Sequence, residues 1–156
     1  MRTMWSRVTT LSLAVCFLML VPSKSVQAQC NIGINMLGVD INGADAWNEN
    51  GCGVSSPQTG PAMSAGSTLA VRIHADGIDG AGSYATVQCT AYSTDLGIYT
   101  TLFSATTTTS IDNLQVYWTP TVSGTYTLSC SAYYNIPYGS GNTGMIYTGD
   151  IYVPVT

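Results

Sequence analysis

Charge is scarce in this chain, and positive charge is almost missing. Four lysines and arginines, eight aspartates and glutamates and one histidine serve 156 residues. Three of the bases, Arg2, Arg7 and Lys24, fall within the first 28 residues. From residue 29 onward a single base, Arg72, stands against eight acids (Asp40, Asp45, Glu49, Asp76, Asp79, Asp95, Asp112 and Asp150), a net charge near −7. A domain so poor in cations cannot neutralise phosphates, which excludes nucleic acid as a partner. It also lacks the basic patch that an anionic membrane attracts. Scarce Lys, Glu and Gln argue against exposed helices, whereas abundant Thr and Tyr fit strands. Long apolar runs are absent too. The longest, residues 11–21, is broken by Pro22 and is too short to span a bilayer. With one histidine, His74, and no close Cys-x-x-Cys pair, the spacing disfavours a structural zinc site.

The short apolar run has a different meaning. Arg2 and Arg7 precede it, and Val26 and Ala28 sit three and one residues before a cut ahead of Gln29. These are the three regions of a secretory signal peptide. The expected organisation is a signal over 1–28 and one domain over 29–156. That domain is expected outside the cell or at its surface, with the periplasm as the alternative, and not inserted in the membrane. A lipid anchor at Cys30 would want a small residue before it, and Gln29 is not one. Cys16 leaves with the signal. Cys30, Cys52, Cys89 and Cys130 remain, and an even number in an exported chain predicts two disulfides. Three connectivities are open.

From residue 67 the chain reads as strands between turn clusters. Leu69, Val71 and Ile73 alternate with Ala70, Arg72 and His74. After a glycine- and aspartate-rich turn, Ala85, Val87, Cys89 and Ala91 share one face. Residues 98–106 form a β-branched and aromatic run. Leu114, Val116 and Trp118 precede a turn at 120–124, and Tyr126, Leu128, Cys130 and Ala132 share the next inward face. A polar loop over 135–144 leads to a last strand over 145–155, where Pro154 is tolerable only at an edge or an end. Earlier, residues 30–37 offer a first strand. Residues 38–60 read as a Gly-, Asn- and Asp-rich loop tied back by a Cys30–Cys52 bridge. Seven or eight short strands at this spacing predict an all-β sandwich.

Trp118, Pro120, Gly124, Tyr126, Leu128 and Cys130, together with Pro61, Gly66, Leu69 and Val71, resemble bacterial immunoglobulin-like domains of secreted and surface proteins. The resemblance covers residues 61–155. It implies an immunoglobulin-like β-sandwich in which Tyr126 bonds its hydroxyl back across the turn and Trp118 is structural. Tyr126 lies four residues before Cys130, not the two of antibody domains, so an antibody-type centre is not expected. The implied strand order makes the strands of Cys89 and Cys130 neighbours in one sheet and predicts a Cys89–Cys130 bridge between them. The resemblance also brings the loops at 76–83 and 135–144 to one end of the sandwich.

No constellation points to catalysis. His74 alternates outward from a strand, and no Gly-x-Ser-x-Gly accompanies it. Asp76 and Asp79 are close, but a glycosidase needs two carboxylates facing across a cleft, and turn aspartates bond their own backbone. The same pair, or Asp40, Asn42, Asp45 and Glu49, could ligate calcium, but turn and loop roles are the preferred reading and no cofactor is expected. Binding fits better. Tyr133, Tyr138 and Asn142, in or beside the 135–144 loop, are of the residue types used by adaptable paratopes, and Asp76 and Asp79 share their end. Tyr133 is expected outward and Tyr134 inward. Trp47 offers a sugar-stacking platform, or else plugs its own loop. The leading expectation is a non-catalytic exported domain for adhesion, recognition or assembly, with an extracellular protein or glycan as partner. Homo-assembly would use residues 149–155 as an edge strand. The rival is a stand-alone carbohydrate-binding module using exposed Trp and Tyr.

Overall fold

The computed structural model describes residues 34–49, 51, 53–137 and 142–156. Every regular element among them is a strand. In chain order these are β1 (Met36–Ile41), β2 (Ala44–Glu49), β3 (Gly53–Val54), β4 (Gln58–Thr59), β5 (Leu69–Asp76), β6 (Tyr84–Ser93), β7 (Ile98–Thr107), β8 (Ile111–Trp118), β9 (Gly124–Ile136), β10 (Asn142–Tyr147) and β11 (Ile151–Val155). One sheet has the order β3-β2-β1-β5-β8. The other runs β4-β11-β9-β6-β7, with β10 also paired to β9. Neighbours are antiparallel except β4 and β11, which are parallel. Signal peptide and Cys30–Cys52 lie outside the described residues.

The period-2 patterns are what assemble the two sheets. Leu69, Val71, Ile73 and Ala75 from β5 are buried, as are Ala85, Val87, Cys89 and Ala91 from β6. Tyr126, Leu128, Cys130, Ala132, Tyr134 and Ile136 give β9 a buried face of six residues. These side chains form one core between the sheets. Each fully buried Ile, Leu or Val in it contributes roughly 1.5–3 kcal/mol relative to exposure. At the turn before β9, the Tyr126 hydroxyl donates to the Val122 carbonyl at 2.9 Å, as expected. The Trp118 ring meets Tyr126 edge-on, with centroids 5.1 Å apart.

The Cys89–Cys130 disulfide is present, between adjacent strands of one sheet. The two residues are directly opposite in the β6–β9 register. The backbone of Cys130 bonds away from β6. Its carbonyl accepts from Thr148 N at 2.9 Å, and its N–H donates to Thr148 Oγ1 at 3.0 Å. The bridge therefore spans a non-hydrogen-bonded pair, where side chains approach most closely.

Four expectations are corrected. Residues 38–60 are not a loop. Asn42 and Gly43, with φ of 37° and 91°, make a two-residue hairpin turn between β1 and β2. Positive φ at both central positions matches the twist of the flanking strands, and Asn-Gly is the favoured pair. Leu37, Val39 and Ile41 are buried, and β1 is the middle strand of its sheet. The polar loop is also shorter than 135–144, because β9 continues to Ile136 and β10 begins at Asn142.

The last strand, read as continuous over 145–155, is broken at 148–150. There Thr148 Oγ1 takes the Cys130 N–H and donates to the Gly149 carbonyl at 2.8 Å, so one hydroxyl repairs the gap in the ladder. Nor are residues 149–155 an edge. β11 pairs with β9 on one side, and residues 58–65 cover the other through Gln58 N to Asp150 O, Gly60 N to Tyr152 O and Met63 N to Pro154 O. Pro154 faces this covered side, away from β9, so its missing N–H removes no bond from the β9 ladder. Among the described residues, the long strands with an open side are β7, β8 and β10.

Candidate functional site

The candidate binding residues are divided between two faces. Tyr133 points outward from β9, as parity predicted, and is 45% exposed. Tyr134 points inward, where burial pushes its hydroxyl above the ordinary phenol value. Trp47 lies half-buried on β2, on the outer face of the other sheet. Tyr138 is outside the described residues, and Asn142 begins β10 opposite Ile136.

Asp76 ends β5, and Asp79 sits in the turn that follows. Its carboxylate accepts from Ser110 Oγ at 3.3 Å and its carbonyl from Ser83 Oγ at 3.3 Å. Ser110 Oγ in turn accepts from Gly77 N at 3.1 Å. These contacts bind Asp79 into its turn. The two loops do share an end, since a Cβ on Gly82 would stand 3.6 Å from Pro137. Among the described residues, no group of three or more His, Cys, Asp or Glu side chains converges as a metal-ligand set. No helix among them is long and apolar enough to cross a membrane.

A different surface stands out. The six strands β4, β6, β7, β9, β10 and β11 contain no Asp, Glu, Lys, Arg or His at all. The charges carried by strands, from Asp40 to Asp112, are all on β1, β2, β5 and β8 of the other sheet. The outer face of the uncharged sheet displays Tyr99 (64% exposed), Tyr147 (55%), Met145 (57%), Tyr133 and Tyr152. Between these stand hydroxyls and an amide, set by register in cross-strand rows. Tyr147 opposes Ser131, which opposes Gln88, which opposes Ser104. Thr90 opposes Ser129 on one side and Thr101 on the other.

The middle of this face is a shallow basin of about 190 Å³. Tyr147 and Tyr99 stand at its two sides, Gln88, Thr90, Ser129 and Ser131 line it, and Cys130 of the disulfide is also in its wall. The crosslink ties the two strands that carry most of the lining, which limits how far they can separate. Aromatic walls over neutral donors and acceptors can stack on a ring and hydrogen-bond its hydroxyls, or meet a polar protein surface with little desolvation of charge. Among the described side chains of the predicted site, Tyr133 alone belongs to this face. The signal for the rest was present as an uncharged composition over the strands 84–93, 98–107, 124–136 and 142–147. Comparison with family models and with curated proteins finds no match to the chain.

Proposed function

We propose that this is an exported, non-catalytic immunoglobulin-like recognition domain, acting in adhesion or assembly at the cell surface, whose contact surface is the uncharged tyrosine- and hydroxyl-rich sheet face. The immunoglobulin-like reading is supported by strand order. β5 and β8 neighbour each other in one sheet, while β11, β9, β6 and β7 follow in the other, and β4 adds parallel to β11. The signal-peptide features of the sequence over 1–28 support export, as does the Cys89–Cys130 bridge. The observation that carries the choice of face is the segregation of charge. A monomer gains nothing in solubility from a strand face stripped of charge and carrying four exposed tyrosines, whereas recognition surfaces are depleted in charge and enriched in Tyr.

A carbohydrate-binding module is the second reading, and the Tyr99–Tyr147 basin favours it over the Trp47 and Tyr138 sites expected from sequence. The test is binding of the purified protein to a glycan panel and to intact cells, comparing wild type with Ser131→Lys. This substitution puts a cation into the basin floor and is expected to abolish binding. Binding of wild type to glycans would select the carbohydrate reading, and binding to protein on cells would select the adhesion reading. Unchanged binding by Ser131→Lys would refute the choice of face.

A further inference from the structure

The opposite sheet face carries a second cleft of different chemistry. β1 lies between β2 and β5, and Gly38 stands directly opposite Trp47 on one side and His74 on the other. With no side chain at Gly38, a gap of about 190 Å³ opens between the indole and the imidazole. Met36 closes one end, and Asp40 and Asp45 close the other. Gly53 backs the indole, since a Cβ there would lie 3.4 Å from Trp47 Cζ3. The aromatic wall is thus held in place.

The charges around this cleft are lopsided. Asp40 and Asp45 are directly paired across β1 and β2, and Glu49 and Asp76 both oppose Met36. The one guanidinium on this face is Arg72, 3.6 Å from Asp40. Two carboxylates placed opposite each other in a sheet destabilise it; Arg72 offsets this at Asp40, while Asp45 accepts from the neutral Gln58 Nε2 at 3.3 Å, so a cation bound at Asp45 would relieve the cost that remains. The flanking acids lie within about a Debye length of the cleft and raise the local cation concentration. A planar guanidinium stacks on an indole face and forks to a carboxylate, whereas an ammonium, a compact and strongly hydrated point charge, does neither.

We propose that the Trp47–Gly38–His74 cleft binds an arginine side chain of a basic partner, with the guanidinium stacked on Trp47 and directed at Asp45. This site is on the other face from the proposed recognition surface and stands or falls separately from it.

The test is an NMR titration of the ¹⁵N-labelled protein with acetyl-Gly-Arg-Gly-amide and with its citrulline analogue, which keeps the shape and loses the charge. The arginine peptide is expected to shift the Trp47 indole N–H and the Gly38 amide saturably. The citrulline peptide is expected to bind about fivefold or more weakly, a ratio set by the cation–π and ionic contributions. Gly38→Val fills the gap. The added Cβ meets its nearest atoms at 3.8–3.9 Å, and β-branching suits a strand, so the fold is retained while binding is lost. Asp45→Asn, at an exposed position, is expected to weaken arginine binding and leave the spectrum otherwise intact. Equal binding of the citrulline peptide would overturn the proposal, as would full binding by Gly38→Val or displacement of the peptide by neutral oligosaccharides.

Discussion

The Cys89–Cys130 bridge is the covalent contact whose removal has the most calculable effect. It closes a loop with a sequence separation of 41. In the chain-entropy model, a loop of that length restricts the unfolded chain by about 4 kcal/mol at room temperature. Both cysteines are buried, so Cys89→Ala/Cys130→Ala also leaves a small void, which adds to the loss. Total stabilities of roughly 5–15 kcal/mol make this a large fraction. In urea, with an m-value of about 2 kcal/mol/M, the midpoint should fall by about 2 M. The double variant is preferable to chemical reduction because it leaves Cys30 and Cys52 unaltered. The reasoning is refuted by a midpoint shift below about 0.5 M with unchanged slope. That result would mean that the β6–β9 pairing already restrains the unfolded chain.

Other perturbations test smaller parts of the fold. Tyr126→Phe removes the bond to the Val122 carbonyl and nothing else, and should cost about 1 kcal/mol by denaturant unfolding. Thr148→Val keeps the side-chain shape but leaves the Cys130 N–H unbonded in a buried place. It should cost about 1–3 kcal/mol and accelerate exchange of that amide. Burial raises the Tyr134 hydroxyl above its ordinary value of 10.0. The unfolded chain therefore releases this proton first. The associated stability is complete below pH 10.0 and is lost as pH rises toward the folded value, which unfolding series at alkaline pH will show as a decline that Tyr134→Phe reduces.

Much of the scaffold could be read in advance because its strands are buried on one face only. Leu69 to Ala75, Ala85 to Ala91 and Tyr126 to Tyr134 each alternate, and alternation both identifies a strand and assigns its inward side. That parity also gave Tyr133 outward, Tyr134 inward and both Cys89 and Cys130 facing the core, while the pairing of the two cysteines rested on the strand order that the immunoglobulin-like resemblance implies. The β1–β2 hairpin was missed although Asn42-Gly43 stood between alternating residues. Abundant Gly, Asn and Asp around it were read as loop composition, when two of them were turn residues and Asp40 and Asp45 were outward strand positions. The break at Thr148 left no signal, because its repair depends on a side chain reaching another strand. The candidate site was harder. Tyr99, Gln88, Ser131 and Tyr147 come from four strands, and only the register brings them together. Trp47 and Tyr133 attracted notice as exposed aromatics, but sequence could not tell that they lie on opposite faces.

The central claim is that binding to cell-surface protein or glycan uses the uncharged face, whatever the separate cleft on the other sheet binds. The most direct measurement compares two lysine substitutions at exposed strand positions, Ser131→Lys on the uncharged face and Tyr117→Lys on the other sheet, where Tyr117 is 69% exposed. Binding of each purified variant to intact cells and to the glycan panel is read beside wild type. The account predicts that Ser131→Lys loses binding and Tyr117→Lys retains it. Retention by Ser131→Lys, or loss by Tyr117→Lys alone, would contradict it.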